Sequence, residues 1–286
     1  MVHLQSFNYY CFTSTVTYIN VTSVGLENPY LPKYKATYHQ LLILSELGAS
    51  LCDSIEKVVE VIFQNYQYNS GHFSFKMIKT ERGRKSSLTD GACLTGNILR
   101  FLIHFGYLSD ERTQKALKFL VETHDNGWSC RAYPIDRGKV FPQHCYMGGV
   151  KPLIAFSMIP EPERTKDIQE IIEQEIEIYL ENEIFMYLKD EKGKRKAKFG
   201  WTRFGFPLFY QSNALEGLDV LTRLGIKDER IEKALDLVVS KQDKNGRWNL
   251  ENTFNGKMWV DIEEKKNPSK WITLNAVRVL KRVYGD

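Results

Sequence analysis

No apolar run in this sequence approaches the ~18 residues of a membrane span, and its first residues have neither the basic start nor the apolar centre of a secretory signal. A cytoplasmic protein without a membrane span is therefore expected. Cysteine is scarce: five, irregularly spaced in 286 residues, make no disulfide framework and are expected to be thiols or metal ligands. Charge of either sign is nearly balanced. A formal net charge of +4 is slight for this length and argues against a nucleic-acid partner and against an acidic tail. The most basic stretch, residues 192–198, is interrupted by Gly193 and follows Asp190-Glu191, so it reads as a solvated loop in preference to a phosphate or RNA contact.

What is present is a repeated helix ending. In residues 240–250, S-K-Q-D-K-N-G-R-W-N-L, Lys241 and Gln242 close a helix, Asn245-Gly246 turns with positive φ at low steric cost, and Trp248 drops an indole back over the exposed end. The same ending is written as V-E-T-H-D-N-G-W-S-C in residues 121–130, and more loosely as Q-N-Y-Q-Y-N-S-G-H-F in residues 64–73. A repeated ending implies a repeated structural unit.

The segments between these endings alternate in character. Residues 34–48 are apolar over much of their circumference, a buried helix, whereas residues 53–66 carry Ile55, Val58, Val59, Ile62 and Phe63 as one stripe, a helix covering it. The pair recurs as residues 96–107 with 110–123, 148–159 with 163–180, and 210–225 with 228–241. A last buried helix, residues 269–284, has no covering partner. Acidic caps stand at Asp110 and Asp228, where a helix dipole favours them. Hairpins of this kind close into a ring whose inner helices surround a cavity, with an open solenoid as the alternative. The expected fold is all-α: one α/α-toroid domain of inner and outer helices over residues 29–286, after an N-terminal arm, residues 1–28, that the pattern does not place.

The D-x-x-G-x-W ending, the L-x-x-L-G ends in residues 44–48 and 221–225, and the alternating helix faces resemble the α/α-toroid superfamily of squalene-type terpenoid cyclases and protein prenyltransferase β subunits. The resemblance covers roughly residues 29–285. It implies parallel inner helices whose N-terminal ends meet at one mouth, and a central cavity for an isoprenoid or other long apolar small molecule. Fewer hairpins are visible than a complete toroid of that superfamily needs, so the ring is incomplete or residues 1–28 replace an earlier unit.

Prenyltransferase β subunits carry a Gly-Arg, a basic residue, an Asp-Gly-Cys and a His before Cys-Tyr at that mouth. Similar residues here are Gly83-Arg84-Lys85, Asp90-Gly91-Ala92-Cys93 and His144-Cys145-Tyr146. The resemblance implies Arg84 and Lys85 as diphosphate-binding, Asp90 and Cys93 as catalytic, and zinc as cofactor held by Asp90, Cys93 and His144, with Cys130 or Cys145 as metal ligands in place of Asp90 if the longer spacing turns its carboxylate away. Two departures stand out: Ala92 lengthens Asp-x-Cys to Asp-x-x-Cys, and Lys85 is adjacent to Arg84 instead of three residues on. Thiolates and an imidazole are a zinc ligand set. The competing reading is of buried thiols with His144 in the core or at the rim, and of a solvated basic loop at Arg84 and Lys85. Cys11 and Cys52 have no neighbours of ligand type. Trp201, Phe204 and Tyr210 would line the cavity or build its wall.

The D-x-D-D or D-C-T run that supplies a cyclase's protonating acid is absent. Its nearest counterpart, Asp261-Ile262-Glu263-Glu264, sits beside Lys265 and Lys266, where carboxylates stay ionised. The leading expectation is thus an enzyme of the transferase or cyclase type, in its sharpest form a zinc-dependent transfer to a thiol. The alternatives are a noncatalytic toroid that binds a partner protein or lipid or self-associates, and a lanthipeptide-cyclase-like zinc enzyme.

Overall fold

The computed structural model describes residues 28–85, 91–129 and 144–285. Its helices are α1 (Thr37–Glu46), α2 (Asp53–Tyr66), the single turn α3 (Glu81–Arg84), α4 (Ala92–His104), α5 (Glu111–Glu122), α6 (Tyr146–Ser157), α7 (Lys166–Glu181), α8 (Ala214–Arg223), α9 (Glu232–Ser240) and α10 (Lys270–Tyr284). Strands among the described residues are two-residue pieces. β1 (Leu188–Lys189) pairs antiparallel with β2 (Arg195–Lys196), and β3 (Trp248–Asn249) with β4 (Pro268–Ser269). The architecture is all-α. The arm expected at residues 1–28 lies, but for Asn28, outside the described residues.

The helices fall into two layers. α1, α4, α6, α8 and α10 form a row in which each packs on the next, and α5, α7 and α9 lie behind α4, α6 and α8. Sequence character sets the layer. α4 is buried at every position from Leu94 to Leu102, and α6 at Tyr146 and from Gly148 onward, because neither has a polar face. α2, α5, α7 and α9 instead bury single stripes, Ile55, Val58, Val59, Ile62 and Phe63 in α2 for example.

Two expectations are corrected. The helix expected from residue 210 starts at Ala214, since Asn213 takes the capping position and its Oδ1 accepts from the Glu216 N–H at 2.9 Å. The last helix is not fully buried. With nothing covering it, α10 buries Ile272, Ala276 and Val279 and leaves Leu274, Val277 and Tyr284 exposed.

The repeated endings are built alike. Trp128 Nε1 donates to the Leu120 carbonyl at 2.9 Å, and Trp248 Nε1 to the Val238 carbonyl at 2.6 Å. Each indole thus satisfies a carbonyl in the last turns of its own covering helix while its ring is buried. In the looser copy, Gln67 bridges Phe73 just as Gln242 bridges Trp248. The acidic caps also recur. Asp110 Oδ1 accepts from Arg112 N at 2.8 Å and Asp228 Oδ1 from Arg230 N at 2.8 Å, and both arginines reach back to the preceding covering helix, Arg112 to Glu60 and Arg230 to Glu177. One three-residue motif therefore starts a helix and ties it to an earlier unit.

The closest helix pair is α4 against α6. A methyl group on Gly96 would lie 2.5 Å from the Pro152 backbone nitrogen and 2.7 Å from the Lys151 carbonyl carbon, so glycine sets this spacing. Gly96→Ala is expected to destabilise the fold by about 1–3 kcal/mol, despite alanine's better helix propensity, because backbone must move. Urea unfolding followed by circular dichroism measures it; an unchanged midpoint would contradict the packing described.

Candidate functional site

The sequence points to chemistry at the N-terminal ends of the first-layer helices, where Cys93 and Cys145 both lie beside Gly148. Cys93 stands in the first turn of α4 and Cys145 precedes α6; a methyl group on Gly148 would lie 3.0 Å from Cys145 Sγ and 3.5 Å from Cys93 Cβ. Both are half-buried. An aromatic cluster lies beside Cys93. Tyr30 packs on Phe75 at 4.3 Å between ring centroids, Tyr34 on Phe254 at 4.2 Å, and His39 on Phe209 at 4.8 Å. Tyr210 joins it against Tyr30 at 5.5 Å, and burial, with Cys93, pushes its phenol well above the ordinary range. This end is filled: the gap left beside His39, Phe209 and Tyr210 is about 10 Å3.

His144 approaches Glu175 on α7. Its Nε2 lies 3.5 Å from Glu175 Oε2, and the other carboxylate oxygen accepts from His124 Nε2 at 2.9 Å, so the imidazole lies between the layers. The backbone makes room for it through Gly127 and Gly149, where a methyl group would lie 2.0 Å from His144 Cδ2 and 2.9 Å from its Nε2. Burial pushes the Glu175 carboxyl up, but the bond from His124 and the nearby His144 imidazole outweigh it and hold the group below its usual value. Among the described residues no group of three His, Cys, Asp or Glu side chains could hold a metal ion. Asp90 and Cys130 lie outside the described residues.

The remaining candidates are placed as follows. Arg84 donates from Nη1 to the Gln67 carbonyl and from Nη2 to the Gln64 carbonyl, both at 2.9 Å, which closes the end of α2. Lys85 is exposed. Trp201 is buried against Tyr146 at 5.2 Å and Tyr187 at 5.6 Å, and Phe204 is buried beneath Lys241, so both belong to the wall.

An open cavity lies elsewhere, toward the C-terminal ends of α1, α4 and α6. Its volume is about 340 Å3, and all five first-layer helices reach it, through Glu46, Arg100, Ile154, Glu216 and Trp271 among others. Apolar walls of Met158, Leu215, Ile272 and a stacked Phe206–Trp271 pair (5.3 Å) alternate with charge. The charges form a network. Arg100 Nη2 donates to Glu46 Oε1 at 2.6 Å, Arg100 Nη1 lies 3.9 Å from Glu216 Oε1, and Lys151 Nζ, wholly buried, donates to both Glu216 oxygens at 2.7 Å. Burial pushes Glu46 up against the pull of Arg100, and pushes Lys151 down against that of Glu216. At the far side Asp219 pairs with Arg223 and Arg282 at 2.8 and 2.7 Å, while Arg278 has no ion pair among the described residues.

Sequence reasoning missed this constellation, although a signal was there. Arg100 in N-I-L-R-F-L-I and Lys151 in G-G-V-K-P-L-I are lone cations inside fully apolar helices, which demand buried partners.

No family model matches the chain, and no curated protein does. Solved structures to which it is similar include a variant of the type II terpene cyclase MstE from Scytonema in complex with merosterolic acid A, at 11% identity and a TM-score of 0.35, covering 94% of this chain and 96% of that one. A second variant, in complex with geranylgeranyl dihydroxybenzoate, is 12% identical with a TM-score of 0.33 over 84% and 85% of the two chains. The apo enzyme is 12% identical with a TM-score of 0.29 over 84% and 86%. Likeness at this level assigns this chain neither activity nor substrate.

The aromatic end makes a pH prediction. His39 is 2% exposed, neither ring nitrogen has a hydrogen-bond partner among the described residues, and burial, with Lys33, lowers its pKa to about 3 from 6.5. The native state therefore keeps His39 neutral where the unfolded chain protonates. Stability owes nothing to this group above pH 6.5, falls by about 1.4 kcal/mol per unit as pH drops from 6.5 toward 3, and levels below that. In acid titrations at fixed urea, His39→Phe is expected to flatten this part of the profile; an unchanged slope would mean that other groups drive acid unfolding.

Proposed function

We propose that the two layers curve into an open α/α toroid of the terpenoid-cyclase and prenyltransferase type, and that its central cavity binds a compact isoprenoid-like amphiphile, an apolar body with an anionic head. The observation that carries this reading is the contribution of all five first-layer helices to one cavity. A flat row of helices could not arrange that. The body would rest on Ile154, Met158, Leu215 and Ile272, and the head would meet Arg278 and the edges of Arg223 and Arg100. A volume of about 340 Å3 is at the small end of ligand sites, about 300–1,000 Å3, and favours a short isoprenoid over a long chain.

Charge at the cavity bears on the reaction class. Releasing a diphosphate needs donors on the departing oxygens, which guanidinium groups supply. Cyclisation begun by protonating an alkene needs a strong carboxylic acid. Glu46 is poorly suited, because its Oε1 accepts from Arg100. The reading is therefore of a diphosphate-type ligand, with transfer ahead of protonation-initiated cyclisation. A zinc ion at the thiol end would be held by Cys93 and Cys145 with further ligands from His144 or from the segments that carry Asp90 and Cys130. Metal analysis of protein from zinc-replete cells tests that addition separately. The filled aromatic end favours a second reading, a noncatalytic toroid.

Titration calorimetry with geranyl diphosphate and geraniol tests the proposal. The diphosphate is expected to bind, geraniol far more weakly, and Arg278→Ala, a change at an exposed side chain, to weaken the diphosphate by about tenfold or more. Absence of binding by both, or indifference to Arg278→Ala, would overturn it in favour of the noncatalytic reading.

A further inference from the structure

Six cations, Lys189, Lys192, Lys194, Arg195, Lys196 and Lys198, lie in and around the β1–β2 hairpin, against two carboxylates, Asp190 and Glu191. The excess of four equals the formal net charge of the whole chain, +4, so the remaining residues balance to zero. Nothing about folding requires this concentration. The hairpin turn uses Asp190, whose Oδ1 accepts from the backbone N–H groups of Lys192 and Lys194 at 2.9 and 2.8 Å. The cationic side chains stand in solvent, and none has an ion pair among the described residues.

An apolar group stands beside this charge and is held there. Phe199 is 73% exposed, the highest value among the large exposed apolar side chains. It belongs to the 3-10 turn Phe199–Thr202, whose Trp201 is 1% exposed and locked against Tyr146 and Tyr187. Two residues apart on so short a turn cannot both face the core, so fixing Trp201 inward fixes Phe199 outward. Arg203 lies 5.1 Å from the Phe199 ring centroid and also lines a surface hollow of about 310 Å3 with Lys241 and Lys266. The hollow's carboxylate, Glu251, is already taken by Lys241 at 2.6 Å and by the Phe204 N–H at 2.7 Å. An incoming phosphate would therefore meet Arg203 and Lys266, Lys241 being held by Glu251.

From these features we propose that the hairpin, Phe199 and the Arg203–Lys266 hollow form a docking surface for anionic phospholipid bilayers. A bilayer offers both things the patch needs: a plane of phosphates for the cations, and an acyl boundary for a ring that water solvates poorly. A single-stranded nucleic acid fits less well. It binds through successive aromatic faces, and this patch has one exposed ring with Arg203 beside it. The proposal does not depend on what the central cavity binds.

Co-sedimentation of the intact protein with phosphatidylcholine vesicles, with and without phosphatidylserine, tests it. Retention is expected only on the serine-lipid vesicles and is lost at high salt. The double variant Lys194→Glu, Lys196→Glu is expected to bind at least about tenfold more weakly, and Phe199→Ser to weaken binding at unchanged salt sensitivity. All the altered side chains are exposed, so thermal melts of the variants should match the parent. Equal retention on neutral and anionic vesicles, no retention on either, or tighter binding to a single-stranded RNA oligonucleotide than to the vesicles would overturn the proposal.

Discussion

The architecture depends on how each covering helix is stopped. A helix end leaves carbonyls without partners, and in two units a tryptophan indole repairs this from behind, its N–H donating to Leu120 or Val238 while its ring fills the space under the turn. The stop and the core are therefore one object. Removing the ring would open a void at either ending and take a donor from the Leu120 or Val238 carbonyl, which a smaller apolar residue could not replace.

A second constraint operates between units. α4 and α6 approach closely enough that Gly96 must be glycine, yet the same interface buries Lys151 and, a turn away, Arg100. Buried charges of this kind are costly unless matched, and here Glu216 and Glu46 arrive from α8 and α1 to match them. Four helices thus converge on one network, so their relative placement is fixed by charge pairing as well as by apolar contact. The cavity next to it inherits that rigidity.

Much of this was legible in the sequence because its signals are local. The Asn-Gly-x-Trp ending, the stripe of Ile55, Val58, Val59 and Ile62, and the acidic caps each act within a few residues, so the helices and their layers could be read directly. The placement of Cys93 and Cys145 beside Gly148 also follows from helices that start at the same end. What could not be read is where side chains with two choices turn. His144 adjoins Cys145 in sequence but approaches Glu175, and Gly127 and Gly149 make the room for its ring there. Arg112 and Arg230 looked like parts of a cap, and their ties to Glu60 and Glu177 span more than fifty positions.

The row of first-layer helices has a beginning and an end that differ from its middle. α1 and α10 border the same cavity without the extended packing that joins every other neighbouring pair in the row. Among the described residues loops join them instead: Trp259 Nε1 donates to the Lys35 carbonyl at 2.9 Å, Lys35 Nζ lies 5.1 Å from the Trp259 ring centroid, and Tyr34 stacks on Phe254. Among the described residues the two ends of the row are thus tied by loop side chains and not by a helix interface, so a change at Trp259 or Phe254 would loosen that tie while leaving the helix pairs of the row intact.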